Sequence, residues 1–157
     1  MVHIFDKKLD KKTLKHYLFQ SVLATLVLFL CLNVPFIDDA VLIAAIGSTT
    51  FILFAMPKTL PARPRNVLGG HFVCGLIGIV FSMFNSGFIP NTTMLSLAVG
   101  LSILAMVTLA IEHPPAGGTV IALLFSTDYV AFVTLLLLSS IMMLFVHLLK
   151  PYMINLM

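Results

Sequence analysis

Charged side chains are scarce in this sequence of 157 residues, of which only 10% are Asp, Glu, Lys or Arg. A soluble domain carries about 25% charged residues, because water must solvate its surface. The chain is 60% apolar, with a mean hydropathy of +1.11, and its length suits one ordinary domain. The shortage of charge excludes a soluble protein and predicts that most of the surface faces lipid.

Cysteines are few, and the motifs of common enzymes are absent. Cys31 and Cys74 fall inside apolar runs without metal-ligand spacing, which predicts buried free thiols rather than a disulfide or a zinc site. The sequence has no Gly-x-Ser-x-Gly, Walker, His-Glu-x-x-His or Cys-x-x-Cys motif. We therefore predict that the chain is not an enzyme and holds no cofactor or metal.

Long apolar runs make up most of the chain. Five of them approach the roughly 20 residues needed to cross the hydrocarbon core, and they cover residues 17–36, 40–56, 67–84, 92–111 and 129–149. A sixth run, 116–125, follows a proline pair and is too short to span alone. At membrane depth only a helix satisfies its backbone without a protein partner. The predicted fold class is an all-α membrane protein.

The placement of the basic residues predicts the topology. Five lysines lie in the N-terminal tail, three cations share the loop after the second run, and Lys150 lies near the end. The positive-inside bias puts residues 1–16 in the cytoplasm as a basic tail, before a single transmembrane domain at 17–157. If 116–125 completes a crossing, all nine basic residues are inside, which favours six crossings. Four to five spans with a re-entrant segment are the alternative.

The two halves of the sequence also resemble each other. Gly47-Ser-Thr-Thr-Phe-Ile-Leu-Phe-Ala is echoed 70 residues later by Gly117-Gly-Thr-Val-Ile-Ala-Leu-Leu-Phe. Each stretch falls in the second element of a three-element unit, which predicts two inverted repeats, 17–88 and 92–150, with a short or broken second element. Such segments at matching places point to a transporter's midplane site. The alternative is that small residues are common at helix contacts.

The most unusual stretch of the chain reads Glu-His-Pro-Pro-Ala-Gly-Gly-Thr and begins at Glu112. Pro114 and Pro115 predict the end of the fourth long helix. The Gly-Gly-Thr after them predicts a new helix N-terminus, whose unpaired N–H groups suit an anion. His113 adds a titratable charge and Glu112 a partner for its proton, so we predict gating or proton coupling by this pair. Capping at the membrane interface is the alternative.

The Gly-Ser-Thr-Thr stretch that begins at Gly47 is the counterpart in the other half. We expect it to form a second helix N-terminus that meets the first near the midplane, with simple packing as the alternative. The predicted substrate-binding residues are Gly47, Ser48, Thr49, Thr50, His113, Gly117, Gly118 and Thr119.

A proline-rich basic loop joins the second and third runs, and a histidine lies in the third. Arg63, Arg65 and Asn66 predict recruitment of an anion at a cytoplasmic mouth, and anchoring at lipid headgroups is the simpler alternative. The spacing of Gly75 and Gly78 predicts close helix packing. The lone His71 predicts a hydrogen bond between helices rather than a metal site.

Three blocks of this sequence resemble the HPP family of integral membrane proteins, named for its His-Pro-Pro signature. They read Gly47-Ser-Thr-Thr-Phe-Ile-Leu-Phe-Ala-Met-Pro, Arg63-Pro-Arg-Asn-Val-Leu-Gly-Gly-His and Glu112-His-Pro-Pro-Ala-Gly-Gly-Thr. The resemblance covers residues 40–134 and implies four transmembrane helices, fewer than counted above. It also implies a bacterial membrane or a chloroplast envelope and, since some members look like nitrite transporters, nitrite transport. Arg63 stands where the family often has glutamine, which bears on substrate identity.

These observations together predict a transporter or channel for a small inorganic anion, with nitrite as the first candidate. We expect a multi-pass protein of the bacterial inner membrane with a cytoplasmic N-terminus. Its expected partners are the small anion, the lipid bilayer and further copies of the chain, because so small a chain does not easily enclose a wide conduit. Nothing in the sequence indicates a basic groove on a soluble face, so we do not expect nucleic-acid binding. A non-transporting sensor or scaffold subunit and a pore for water or neutral solutes are the alternatives.

Overall fold

The computed structural model describes residues 11–84, 87, 89–126 and 128–156. Within these residues the chain is all-helical and contains no β-strand, as predicted for an all-α membrane protein. The six helices are α1 (Lys11–Leu32), α2 (Ala40–Ala55), α3 (Pro64–Met83), α4 (Asn91–Thr108), α5 (Ala116–Ser126) and α6 (Tyr129–Leu149). Two short 3-10 turns cover Leu60–Ala62 and Lys150–Tyr152.

Each predicted apolar run corresponds to one helix, with shifts at the ends. Helix α1 begins at Lys11, inside the predicted basic tail, so the second part of that tail is helical. Lys7 and Lys8 lie outside the described residues. Among the described helices, α1, α3, α4 and α6 are long and apolar enough to cross a membrane. The two shorter apolar helices are α2 and α5, with 16 and 11 residues, and these are the second elements of the two predicted halves.

Helix α2 is continuous, which corrects the prediction of a helix N-terminus at Gly47. The helix begins at Ala40, where Asp39 Oδ1 accepts hydrogen bonds of 2.9 Å from the N–H groups of Val41 and Leu42. Because this cap satisfies donors of the first turn, the helix starts at the cap. A single glycine in mid-helix lowers helix stability by about 1 kcal/mol, and here it does not interrupt the helix.

Helix α4 ends in a Schellman motif, earlier than the proline pair predicted. The N–H of Ile111 donates to the carbonyl of Met106 at 2.9 Å, and the N–H of Ala110 donates to Val107 at 3.2 Å. Ala110 has a φ of 52°, in the left-handed region that glycine usually occupies at this position. The helix therefore closes on its own backbone, and residues 109–115 form a loop before α5.

Helix α5 lies at the centre of the bundle, packed against α2, α3 and α4. Glycines of α3 allow close approach of two helices. A Cβ built on Gly78 would lie 2.8 Å from the carbonyl oxygen of Val120 on α5, and one on Gly75 would overlap the ring of Phe132 on α6. The prediction that Gly75 and Gly78 serve close helix packing is confirmed. Large apolar side chains on the outer faces stay exposed, as suits a lipid environment, and examples are Leu18, Leu26, Leu30, Leu97 and Leu104.

The start of α1 and the end of the described chain lie together. The side-chain amide of Gln20 donates to the carbonyl of Ile154 and accepts from its N–H, both at 3.0 Å. The N–H of Leu156 donates to Ala55 at 2.8 Å, and the Tyr17 hydroxyl donates to Leu156 at 2.7 Å. The segment after α6 is thus fixed against the start of α1 and the end of α2.

Two loops lie on the same face as this segment. Loop 56–63 follows α2, and it meets loop 109–115 through a hydrogen bond from His113 to Pro61. The face formed by the start of α1, these two loops and residues 150–156 is called the loop face below.

Candidate functional site

Four buried polar side chains meet between the helices. They are Thr49 on α2, His71 on α3, His113 in loop 109–115 and Thr119 on α5, and all four are fully buried. Thr49 Oγ1 lies 2.9 Å from His71 Nε2 and 3.1 Å from His113 Nε2. His71 Nδ1 lies 2.7 Å from Thr119 Oγ1. These side chains form one hydrogen-bonded series, called the histidine–threonine chain below.

The histidine–threonine chain runs from the interior of the bundle to the loop face. His113 Nδ1 donates to the carbonyl of Pro61 at 2.9 Å, which ties the two loops together. The rings of His71 and His113 are 4.9 Å apart at 65°, in an edge-to-face arrangement. His71 lies two turns into α3, about 10 Å from its first residue at about 1.5 Å per residue. The histidine–threonine chain therefore lies between the helices, away from their ends, rather than on the surface.

Two adjacent glycines of α3 bring loop 109–115 against the helix. A Cβ built on Gly69 would lie 3.1 Å from the side chain of Ile111, and Gly70 faces His113 in the same way. Because neither glycine carries a side chain, the loop lies directly on the α3 backbone. This contact places His113 within reach of Thr49.

Glu112 does not share the hydrogen-bond partners of its neighbour His113. The buried Asn66 amide donates to the Glu112 carbonyl at 3.1 Å, and its nitrogen lies 3.5 Å from Glu112 Oε2. The ring nitrogens of His113 instead contact Thr49 and Pro61. Asn66 therefore fixes loop 109–115, and joint gating or proton coupling by Glu112 and His113 stays a prediction.

The first amides of α5 are already hydrogen-bonded. The N–H groups of Ala116, Gly117 and Gly118 donate to the carbonyls three residues earlier, at 2.9, 3.0 and 3.0 Å. These acceptors belong to His113 and the two prolines, so the His-Pro-Pro turn caps its own helix. The donors expected to hold an anion at Gly117 and Gly118 are not free in this conformation. A substrate-binding role for these residues stays a prediction.

Two cavities flank the start of α5. The first, of about 360 Å³, lies between α2 and α5 and is lined by Ser48, Pro114, Pro115 and Gly118 among others. The second, of about 310 Å³, lies between α4 and α5, and its lining includes Ser102, Glu112, His113, Pro114 and Gly117. The His-Pro-Pro turn thus separates two spaces, each large enough for a small solute.

Only Thr49 of the stretch 47–50 joins the histidine–threonine chain. The exposed Ser48 hydroxyl donates to the carbonyls of Ala44 and Ala45 within its own helix. Thr50 donates to the Ile46 carbonyl at 2.9 Å, and its hydroxyl lies 3.4 Å from a methionine sulfur of α6. Ser48 therefore faces the first cavity, whereas Thr50 packs against α6.

The predicted cationic residues lie on the loop face. Arg63 and Arg65 are both exposed, and Arg65 Nη2 donates to the carbonyl of Leu109 at 2.7 Å. This bond joins α3 to the end of α4. The structure thus gives Arg65 a structural contact, and anion recruitment by either arginine stays a prediction.

His71 is the site residue that sequence reasoning did not include. The prediction of a hydrogen bond between helices is confirmed by its contacts to α2 and α5, but its pairing with His113 through Thr49 was not foreseen. The available signal was a titratable residue inside an apolar run, which is costly in a membrane and often functional. Among the described residues, no group of three His, Cys, Asp or Glu is arranged to hold a metal ion.

Comparisons with known proteins agree with the helical membrane architecture. The family model for the HPP transmembrane region matches residues 9–154. Two proteins of Dictyostelium discoideum, each named a transmembrane protein, are 36% identical over 83 residues and 28% identical over 88 residues. These alignments cover 50% and 55% of this chain but only 28% of each relative. No solved structure matches.

The family match extends over nearly the whole chain, and it includes the turn that lies between the two cavities and supplies His113. This chain belongs to the HPP transmembrane family.

Proposed function

We propose that this chain is a membrane transporter, rather than an enzyme, for a small inorganic anion, with nitrite as the first candidate. The observation that carries the proposal is the histidine–threonine chain, buried within transmembrane helices beside two cavities. Ionisable groups at membrane depth are costly and usually mark a substrate or ion pathway.

The chemistry of the buried groups favours an anion. Among the described residues, the buried polar side chains are hydroxyls, amides and the imidazoles of His71 and His113, with no Asp, Glu, Lys or Arg. An imidazole that gains a proton becomes positively charged, and hydroxyl groups donate hydrogen bonds. No carboxylate is buried among the described residues, and the half-buried Glu112 is the one acidic residue that lines either cavity.

The contacts at the loop face support six crossings with a cytoplasmic N-terminus. Hydrogen bonds place the start of α1, loop 56–63, loop 109–115 and residues 150–156 on one face. The chain then crosses the membrane six times. The four long helices and α2 make five crossings, and α5 together with loop 109–115 makes the sixth. The same face carries Arg63 and Arg65, as the positive-inside bias requires of a cytoplasmic face.

The remaining parts of the proposal concern location and assembly. We place the protein in the bacterial inner membrane, where Arg63 and Arg65 would attract anions to a cytoplasmic mouth. The exposed apolar faces of α1 and α4 suit contact with lipid and with further copies of the chain. A homo-oligomer would surround each small bundle with neighbours and reduce its exposure to lipid.

The test is uptake of nitrite into liposomes that contain the purified protein. We expect uptake above that of protein-free liposomes, and we expect His113→Ala to abolish it. The matched control is His147→Ala, because His147 is exposed on the last turn of α6. Uptake by the native protein that does not exceed the protein-free background would overturn the proposal.

A panel of solutes separates the proposal from its alternatives. Nitrate, formate and chloride define the selectivity, and shrinkage without an anion gradient detects a pore for water or neutral solutes. A sensor or scaffold subunit would carry no solute and would co-purify with a partner that is lost when Arg63 or Arg65 is replaced.

A further inference from the structure

We propose that the histidine–threonine chain relays one proton between Thr119 and His113, with His71 as a tautomeric switch. The hydrogen-bond geometry alone carries this relay. Its use, which is to move a proton together with the anion, rests on the proposed function.

When both histidines are neutral, the carbonyl of Pro61 fixes which group donates in each hydrogen bond of the histidine–threonine chain. A carbonyl oxygen only accepts, so His113 Nδ1 carries the ring hydrogen and His113 Nε2 is an acceptor. Thr49 must then donate its hydroxyl hydrogen to His113, and its oxygen accepts from His71 Nε2–H. His71 Nδ1 is left as an acceptor for the hydroxyl of Thr119. The neutral state therefore has opposite tautomers on the two histidines.

One added proton exchanges the donor and the acceptor in every hydrogen bond between Thr119 and His113. When a hydronium ion gives a proton to Thr119 Oγ1 and leaves as water, that proton stays as the new hydroxyl hydrogen, and the former one passes to His71 Nδ1. His71 releases its Nε2 hydrogen to Thr49, and Thr49 releases its own to His113 Nε2. Each of these steps crosses a donor–acceptor distance of 2.7 to 3.1 Å, so no helix has to move.

The charge of the added proton ends on His113. Both of its ring nitrogens then carry hydrogen, and they donate to Thr49 and Pro61, which can each accept. His71 is neutral again, but its hydrogen has moved from Nε2 to Nδ1. This change of tautomer on His71 is the signature of the relay.

The surroundings limit the relay to one proton. A second proton would charge His71, whose ring centroid lies 4.9 Å from that of His113, and two like charges at this distance repel strongly in a buried site. The loop face offers one carboxylate near His113, that of Glu112, which lies by the Asn66 amide.

Other ionisable groups around the chain are few among the described residues. Helix α3 carries the buried thiol of Cys74 less than one turn beyond His71. Helices α2 and α5 carry no ionisable side chain. Helix α4 has no ionisable side chain, and α6 carries Tyr129 and His147 at its two ends. Loop 56–63, which contacts His113 through Pro61, carries the exposed Lys58 and Arg63, and Arg65 of α3 bonds to Leu109 at the end of α4. The two histidines are thus the groups of this site whose two ring nitrogens can each take up or release a hydrogen.

The charged form of His113 borders the cavity between α4 and α5. A monovalent anion in this cavity would lie beside the imidazolium and form a neutral pair with it, and the side chain of Glu112 lines the same cavity. Because an unpaired charge at membrane depth is costly, each species favours the binding of the other. The relay therefore predicts that the proton is the coupling ion, with one proton per monovalent anion.

The direct test is solid-state NMR of ¹⁵N-histidine-labelled protein in liposomes, with His71→Gln and His113→Gln to assign the signals among the five histidines. At high pH we expect hydrogen on Nδ1 of His113 and on Nε2 of His71. As the pH falls and His113 gains its second hydrogen, we expect His71 to convert to the Nδ1–H form. Like tautomers at high pH, or a His71 that keeps its tautomer through this transition, would overturn the relay.

The second test compares Thr49→Val, which keeps the shape of the side chain without the hydroxyl, with Thr49→Ser, which keeps the hydroxyl. A pH-sensitive dye inside the liposomes reports the protons that accompany nitrite. We expect Thr49→Val to lower proton entry roughly a hundredfold, the lower end for loss of a positioned proton-transfer group. Thr49→Ser should lower it far less, because its hydroxyl can still donate and accept a hydrogen bond. Native proton entry in Thr49→Val would overturn the relay.

The two proposals fail in different ways. Nitrite uptake without any accompanying proton would overturn the relay and leave the proposed function standing. If the native protein carries no anion, the proposed function fails, and the tautomers of His71 and His113 still decide the relay. The NMR measurement does not need Thr49→Val, so it still decides the relay if that variant does not fold.

Discussion

Gly70 leaves the space that His113 occupies: a Cβ built on Gly70 would lie 2.8 Å from the Cβ of His113. Carbon atoms in favourable contact are about 3.5–4.0 Å apart, so Gly70→Ala must push loop 109–115 away from α3. Overpacking of this kind costs about 1–3 kcal/mol. We expect a lower melting temperature in detergent and loss of nitrite uptake, because His113 moves away from Thr49.

Gly100→Ala is the matched control for this substitution. Gly100 lies on α4, and a Cβ there meets no atom within 4 Å. Alanine at such a position leaves stability unchanged or raises it by up to about 1 kcal/mol. If Gly70→Ala melts and transports like Gly100→Ala, the close approach of the loop to α3 is not important for the site.

Ala110→Gly should stabilise the protein. Ala110 has a φ of 52° at the C-terminus of α4, and an L-residue in this left-handed conformation costs about 1 kcal/mol relative to glycine. We expect the free energy of unfolding to rise by about that amount in a reversible detergent or urea titration. Ala105→Gly, inside the same helix, should lower it by about 1 kcal/mol. Equal effects of the two changes would contradict the conformation assigned to Ala110.

Gln20→Leu should release the segment that follows α6. The change removes the amide that bonds to both polar groups of the Ile154 backbone and also to the Phe54 carbonyl. Each buried group left without a partner costs about 1–3 kcal/mol. We expect faster proteolysis within residues 150–156 and a lower melting temperature, whereas Ser21→Ala on the exposed side of α1 should match the native protein. Native resistance to protease in Gln20→Leu would show that the other contacts of the segment suffice.

Arg63→Gln and Arg65→Gln should differ in kind. We expect both to raise the apparent KM for nitrite a few-fold at low ionic strength, because each removes a charge that attracts anions to the loop face. High salt should abolish this difference, since exposed charges are screened beyond about 10 Å at 0.1 M. Arg65→Gln should also lower stability, because its guanidinium bonds to Leu109. A KM that is independent of salt in both variants would argue against anion recruitment.

The helices were predictable because the membrane demands a particular length of apolar chain. The run at 129–149 became α6 with the same ends, and the short run after the proline pair became α5. The state of the two cysteines was predictable for a similar reason, and both Cys31 and Cys74 are free and buried. In each case a local property of the chain decides the outcome.

The site was less predictable because it depends on contacts between distant segments. The prolines beside it marked His113 in the sequence, but its partner His71 lies on α3, 42 positions earlier. The glycine at 47 suggested a helix start, whereas the cap at Asp39 had already started that helix. The Gly-Gly pair of α5 suggested free amides, whereas the carbonyls of the His-Pro-Pro turn accept from them. Which donors stay free is a tertiary property that spacing alone does not reveal.

Pro114 lines both the cavity between α2 and α5 and the cavity between α4 and α5. Pro114 is thus part of the wall of both cavities. A substitution of Pro114 changes both cavities at once, so a change in transport could not be assigned to one of them. Ser48 borders the first compartment and Ser102 the second. Bulky replacements at these two serines would plug one compartment at a time, and they would reveal whether a solute visits both in succession.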